Sequence, residues 1–191
     1  MPLLRYLLAL SLPLYILDQC TKWWIVKHFP EPWVDHTRTI VLADDWFHIV
    51  RVHNQGVAFG MGNGTAWAPV VFLLVPLLAL AFLRYLWRKG LFHNVMSKFA
   101  LSLLLCGIAG NLTDRLTQGF ALPLLAGGSF WEKLSHGYVV DFIMVKLPFY
   151  DRLVPSSEGW WPAFNVADSC ISVAAVLLFI SGWNWEPSKT S

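Results

Sequence analysis

The stretch AWAPVVFLLVPLLALAFL, residues 66–83, contains no charged side chain. Crossing the hydrocarbon core of a bilayer takes about 20 apolar residues of helix, and continuing to residue 87 supplies them. Pro69 and Pro76 lie inside the run. A membrane helix tolerates such bends where its neighbours satisfy the freed carbonyls. Three further segments are long enough to span, approximately 5–26, 97–113 and 163–183. The last two contain Gly, Ser or Cys, as helices packed on other helices often do. The expected fold class is therefore an α-helical membrane protein with four transmembrane helices, forming a single integral membrane domain over 1–191.

Composition agrees with that class. The chain is 56% hydrophobic and only 14% charged, whereas a soluble domain carries about 25% charge, and its mean hydropathy is +0.52. A net charge of +2 without a basic run argues against a nucleic-acid partner. Cys20, Cys106 and Cys170 all lie in apolar segments, at spacings of neither a disulfide framework nor a zinc site. The six histidines form no HExxH pair, so no metal and no cofactor is expected. After Arg5, YLLALSLPLYIL looks like a signal peptide, yet no small-residue cleavage site follows and the apolar run resumes at Trp23-Trp24-Ile25-Val26. An uncleaved first helix is the better reading.

Basic residues orient the helices. Arg84, Arg88, Lys89 and Lys98 crowd one connection without an acid, which places it in the cytoplasm, and Arg5 and Lys189 bring both termini to the same side. The long connections 27–65 and 114–162 then face outward. Trp23, Trp24, Trp67, Trp160, Trp161, Trp183 and Trp185 stand near the expected boundaries, as interfacial anchors do. In the first outer loop, TIVLA and WFHIVRV read as strands joined at Asp44-Asp45, with Trp46, His48, Val50 and Val52 on one face of the second. They suit a small extracytoplasmic β-sheet platform. A glycine-rich run, NQGVAFGMGNG, follows. The second outer loop reads as irregular, with a short amphipathic piece near FWEKL.

The polar residues at membrane depth are the informative ones. Asp18 and Lys22 share a helix face in the outer half of the first helix. Asn111, Asp114 and Arg115 end the third helix on the outside, and Asn165 and Asp168 begin the fourth there. Asp141 sits in VVDFIMV, a strand-like run that gains nothing from a carboxylate at its centre. Acids from different parts of the chain thus collect near the outer leaflet. Each also has a plain structural explanation. Asp18–Lys22 reads equally as an ion pair that only neutralises itself, and Asp114-Arg115 as a helix-end pair. Asn165 and Asp168 have the spacing of a helix cap. Asn54 and Gly56 suit a turn.

Taken in order, Asp18-x-x-x-Lys22, Asn54-Gln-Gly56-Val-Ala-Phe59, Gly107-x-x-Gly110-Asn111-x-x-Asp114-Arg115, Val140-Asp141-Phe142 and Phe164-Asn165-x-Ala167-Asp168 resemble lipoprotein signal peptidase, the signal peptidase II family of bacterial aspartic peptidases. The resemblance implies a multi-pass enzyme of the bacterial inner membrane with its active site near the outer leaflet. It implies Asp141 and Asp168 as the catalytic pair. Asn54, Asn111, Arg115 and Asn165 would line the site and meet substrate. Asp18 and Lys22 would support it from the first helix, and Gly56 and Asp114 belong to the same binding and support set. The implied reaction removes signal peptides from diacylglyceryl-modified prolipoproteins, cutting before the lipidated cysteine. The expected partners are those prolipoproteins and membrane lipids, and the expected state is a monomer. The stretches from Arg115 to Asp141 and from Asp141 to Asp168 are longer than the family pattern.

The chemistry of two neighbouring carboxylates agrees. In a poorly solvated site both cannot ionise cheaply, so one keeps its proton. The ionised member activates water while the protonated one supports the developing oxyanion. Asp168, near a helix N-terminus, is the better candidate for the ionised form. Two other readings remain, a non-catalytic lipoprotein-binding relative and a small membrane transporter. A proton relay needs polar groups across the whole bilayer, whereas the cytoplasmic halves of these helices are almost purely apolar.

Overall fold

The helices form where apolar runs leave the backbone no partner but itself. The computed structural model describes residues 3–35, 38–43, 46–56 and 68–183. The expected Asp44-Asp45 turn, the stretch 57–67 with Phe59 and Trp67, and Trp185 and Lys189 lie outside the described residues. The first rod runs from an α-helix at Leu3–Tyr6 through a π-helical turn at Leu7–Ser11 into α1, Leu12–His28. The wider turn sits just before Pro13, which has no N–H to offer the preceding turn. The other long helices are α2 (Ala68–Arg88), α3 (Val95–Thr117) and α5 (Val166–Trp183), with a short α4 (Phe130–Ser135) between the last two.

Two boundaries differ from expectation. α3 runs one turn past residue 113, so Asp114 and Arg115 are inside the helix. Their side chains find partners on other elements, and nothing ends the helix there. α5 begins at Val166 rather than 163 because Phe164 pairs with a strand instead.

Among the described residues, two helical segments are long and apolar enough to cross a membrane, Val71–Arg88 and Val95–Ala121, with a shorter apolar helix at Val166–Gly182. The surface of α2 is inverted relative to a soluble helix: Leu74, Val75, Leu78 and Phe82 are all exposed, an apolar face that water would not tolerate. α3 and α5 form the tightest helix pair, and small residues are the reason. A Cβ on Gly107 would stand 2.5 Å from the Ala167 carbonyl oxygen, so only glycine admits this approach. Ala100, Cys106, Cys170 and Ala174 continue the same buried seam, and all three thiols are free.

The platform is a three-stranded antiparallel sheet, ordered β1 (Ile40–Ala43), β2 (Phe47–Asn54), β3 (Val139–Val145). The third strand comes from the second outer loop. Strict alternation in β2 fails. Ile49 opposes Ile143 but Val52 opposes Asp141, so β2 holds one extra residue in a bulge that shifts every later side chain to the other face. The expected common face of Trp46, His48, Val50 and Val52 is therefore broken at the bulge. Beneath the sheet, Ile25, Phe29, Tyr138, Val140 and Phe142 form a core with Leu122 and Leu125. The second outer loop is more ordered than its composition suggests. It holds 3-10 turns at Gln118–Ala121 and Pro123–Leu125, and α4 with a capping box between Ser129 and Glu132.

Candidate active site

Three elements converge on the two suspected acids. Phe164 pairs with Ile143 on the free edge of β3, Ile143 N–H donating to Phe164 O at 2.8 Å and Phe164 N–H to Ile143 O at 3.0 Å. That pairing delivers the next residue, Asn165, beside Asp141. Asn165 is fully buried and caps α5: its Oδ1 accepts the Asp168 N–H at 2.9 Å, and its own N–H donates to Asp168 Oδ2 at 3.2 Å. The cap expected from the spacing is present, and it does more than end a helix. The Asn165 amide also donates to Asp141 Oδ1 at 2.7 Å and to Asn111 Oδ1 at 3.2 Å. One residue thus meets both suspected acids, the Asp141 carboxylate through its side-chain amide and the Asp168 carboxylate through its backbone N–H.

The bulge in β2 explains the second partner of Asp141. Beyond it, Val52 and Asn54 share a face with Asp141, and Asn54 Nδ2 donates to Asp141 Oδ2 at 2.9 Å. Asn54 Oδ1 meanwhile accepts the Gly56 N–H at 3.1 Å, the turn expected from this pair of residues. Without the extra residue, His53 would face the acid instead.

Behind Asp168 lies a buried charge cluster. Lys22 Nζ pairs with Asp18 Oδ2 at 2.9 Å and with Asp114 Oδ2 at 3.0 Å, all three side chains essentially without solvent contact. Asp114 therefore serves Lys22 rather than Arg115. The remaining acceptor capacity reaches backbone: Asp18 Oδ1 takes the Ala167 N–H at 2.9 Å and Asp114 Oδ2 the Val140 N–H at 3.0 Å. Each acid thereby ties α1 or α3 to the residue just before a suspected acid. Gln19, which sequence reasoning passed over, bridges Asp18, Asp114 and the Gly110 carbonyl. Its neighbour Asp18 was the available signal. Lys22 also donates to Asn111 Oδ1 at 3.1 Å, and Asn111 Nδ2 donates to Asp168 Oδ1 at 2.8 Å.

Arg115 stands apart from this cluster. Its Nη2 donates to the Gly56 carbonyl at 3.1 Å, its guanidinium lies over the Phe72 ring at 5.3 Å, and its buried Nη1 has no hydrogen-bond partner among the described residues. A free planar donor beside the acids suits a carbonyl or ester oxygen.

Burial pushes the Asp141 carboxyl up to about 8, with the nearby Asp168 acting in the same direction. Among the described residues each acid accepts two N–H bonds, so those bonds do not separate them. Position does. Asp168 lies in the first turn of an 18-residue helix, where the dipole favours an anion. Lys22 is already matched by Asp18 and Asp114, so its influence on Asp168 runs through the Asn111 amide.

The opposite face of the sheet holds a second set that sequence reasoning missed. Arg51 donates to the Val26 and Phe29 carbonyls at 3.2 and 2.8 Å, the C-terminal end of α1, and to His53 Nε2 at 3.0 Å. Burial, and secondarily Arg51, lower His53 to about 3, so its ring stays neutral and accepts that bond. His53 stacks on Tyr138 with ring centroids 3.7 Å apart. This clasp locks β2 to α1 behind the acids.

Comparison with known proteins covers the whole arrangement. The model of the family described as signal peptidase (SPase) II matches residues 10–184. Lipoprotein signal peptidase of Pseudomonas putida is 32% identical over 184 residues, covering 95% of this chain and 89% of its own length. That of Syntrophus aciditrophicus is 29% identical over 181 residues, covering 94% and 92%. A solved bacterial membrane enzyme shares the fold with a TM-score of 0.69 at 23% identity, over 97% of this chain and 94% of that one.

Proposed function

The chain belongs to the signal peptidase II family, and from that premise we propose that Asp141 and Asp168 are its catalytic pair. The enzyme is an aspartic endopeptidase that removes signal peptides from prolipoproteins. The observation that carries the residue assignment is Asn165, which holds the Asp141 side chain with its amide and the first turn of Asp168 with its cap.

Ionised Asp168 takes a proton from water, and the resulting hydroxide attacks the scissile carbonyl. Asp141, protonated below about pH 8, donates to that carbonyl oxygen and stabilises the oxyanion as it forms. When the tetrahedral intermediate collapses, Asp168 returns the proton to the departing amine of the lipid-bearing cysteine. Asn54 and Asn165 orient Asp141, Asn111 orients Asp168, and Arg115 offers its free Nη1 to a substrate carbonyl or a lipid ester oxygen. Gly56 presents the carbonyl that Arg115 grips, and Asp18, Lys22 and Asp114 hold the backbone on which both acids sit.

The same reading gives a single membrane domain of four spans, with α1, α2, α3 and α5 crossing. The basic 84–98 connection and both termini face the cytoplasm of a bacterial inner membrane, and the sheet lies against the outer leaflet. The enzyme works as a monomer on diacylglyceryl-modified substrates. Cleavage of a lipid-modified prolipoprotein, followed on a gel, tests the assignment. Wild type cleaves, while Asp141→Asn and Asp168→Asn insert normally and do not. Cleavage by either variant would overturn it, and a wild type that binds the substrate without cutting would identify a non-catalytic relative.

A further inference from the structure

The longer stretch after Arg115 has no role in the mechanism above, and its construction is two-faced. From Leu116 to Trp131 the chain carries no charged residue. Leu122 and Leu125 turn inward and join the core beneath the sheet. Leu124, between them, is 83% exposed, and Trp131 is 74% exposed. Phe130 also stands outside, with its ring centroid 5.4 Å from that of Phe120 and 5.3 Å from that of Trp131, so three aromatic rings form one outward cluster.

This is an ordered surface. Ser129 and Glu132 cap α4 reciprocally, and the Lys133 ammonium turns back to the Ala126 carbonyl at 3.1 Å. Fixing bulky apolar side chains outward on a rigid scaffold is unfavourable in water. The surface is also continuous with the apolar face that the proposed membrane orientation turns toward lipid. The apolar span of α3 runs without a break to Ala121, and the exposed Leu116 leads from the helix into the cluster. An uncharged segment with tryptophan at its rim and Glu132 and Lys133 just beyond has the polarity gradient of a membrane interface.

We propose that residues 118–135 form an interfacial collar whose outer face, Phe120, Leu124, Phe130 and Trp131, is covered by acyl chains of the outer leaflet. The collar begins three residues after Arg115 and ends shortly before β3. It therefore seats the site at the lipid layer that carries the substrate's diacylglyceryl group. The inference rests on the proposed outward orientation of this loop.

Spin labelling tests it without reference to catalysis. In the full-length protein with Cys20→Ser, the remaining thiols, Cys106 and Cys170, are buried. Leu124→Cys and Trp131→Cys then each provide one exposed labelling site, with His136→Cys as the reference beyond the helix. In phosphatidylcholine–phosphatidylglycerol vesicles, labels at 124 and 131 should relax preferentially with dissolved oxygen, and the label at 136 with a water-soluble nickel chelate. Chelate access at 124 and 131 equal to that at 136 would overturn the proposal, as would spin–spin broadening that shows a second copy on this face. Lipid-buried labels on a protein that fails to cleave would sink the peptidase reading and leave the collar standing.

Discussion

Replacing Gly110 by alanine is expected to destabilise this protein although alanine is the better helix former. In a helix interior the exchange favours alanine by about 1 kcal/mol. Here the new Cβ would stand 2.6 Å from Asp18 Oδ2 and 3.1 Å from the Ala167 Cβ. Neither gives way freely. Asp18 Oδ2 is held by Lys22 at 2.9 Å and by Gln19 at 3.0 Å, and Oδ1 by the Ala167 N–H at 2.9 Å. Overpacking a close-fitted seam costs about 1–3 kcal/mol, and turning Asp18 aside loses a charge-assisted bond of about 1.5–3 kcal/mol. Both obstacles lie in the way. Against the gain in propensity, the net loss is about 1.5–5 kcal/mol, a fall of roughly 3–20 °C in melting temperature for a chain of this size. Thermal unfolding in detergent micelles, followed by tryptophan fluorescence, reads it. Gly182→Ala is the control, because no atom of the described residues lies within 4 Å of its Cβ, and it should melt at or above wild type. Gly110→Ala melting as high as Gly182→Ala would refute the reasoning.

Asp141 holds its proton to about pH 8, whereas an unfolded aspartate loses it near pH 4 (about 3.9). The folded state therefore binds the extra proton across that window. Stability should fall as pH rises from about 4 to 8, and cleavage, which in the proposed mechanism uses the protonated acid, should decline above about 8. Melts of wild type and Asp141→Asn across this range check it, and equal slopes would contradict it. Asn165→Ala removes the cap, about 1 kcal/mol, together with the bonds to Asp141 and Asn111. Cleavage should drop about a hundredfold as the acids lose alignment, further than in Asn54→Ala, and steady-state kinetics will show whether the order holds. Lys22→Met leaves Asp18 and Asp114 buried without their cation. A loss of about 3–5 kcal/mol is expected, and a wild-type melt would show that the cluster is not needed.

Much of this protein was legible in one dimension because membranes simplify the problem. Apolar length announces a spanning helix, and a carboxylate in apolar company announces a partner or a task. Asp18 with Lys22 and the Asn165–Asp168 cap are contacts between near neighbours and stand where spacing put them. The two strands of the first outer loop pair, though a bulge breaks the expected face of the second. What stayed hidden lay between distant residues. Gln19 reaches Asp114, Asn54 reaches Asp141, and Ala167 N–H reaches Asp18, contacts that no local periodicity encodes.

Sequence by itself determined the class of molecule, the apolar segments and the identity of the buried acids, since those depend on side-chain chemistry read along the chain. Tertiary structure decided which groups the acids meet. A single extra residue in β2 turns Asn54 rather than His53 toward Asp141, and the pairing of Phe164 with Ile143 sets Asn165 between the two acids. Both depend on strand register, and register is settled only when the faces of the sheet find their cover: Arg51, His53 and Tyr138 against α1 on one side, the acids and their amides on the other.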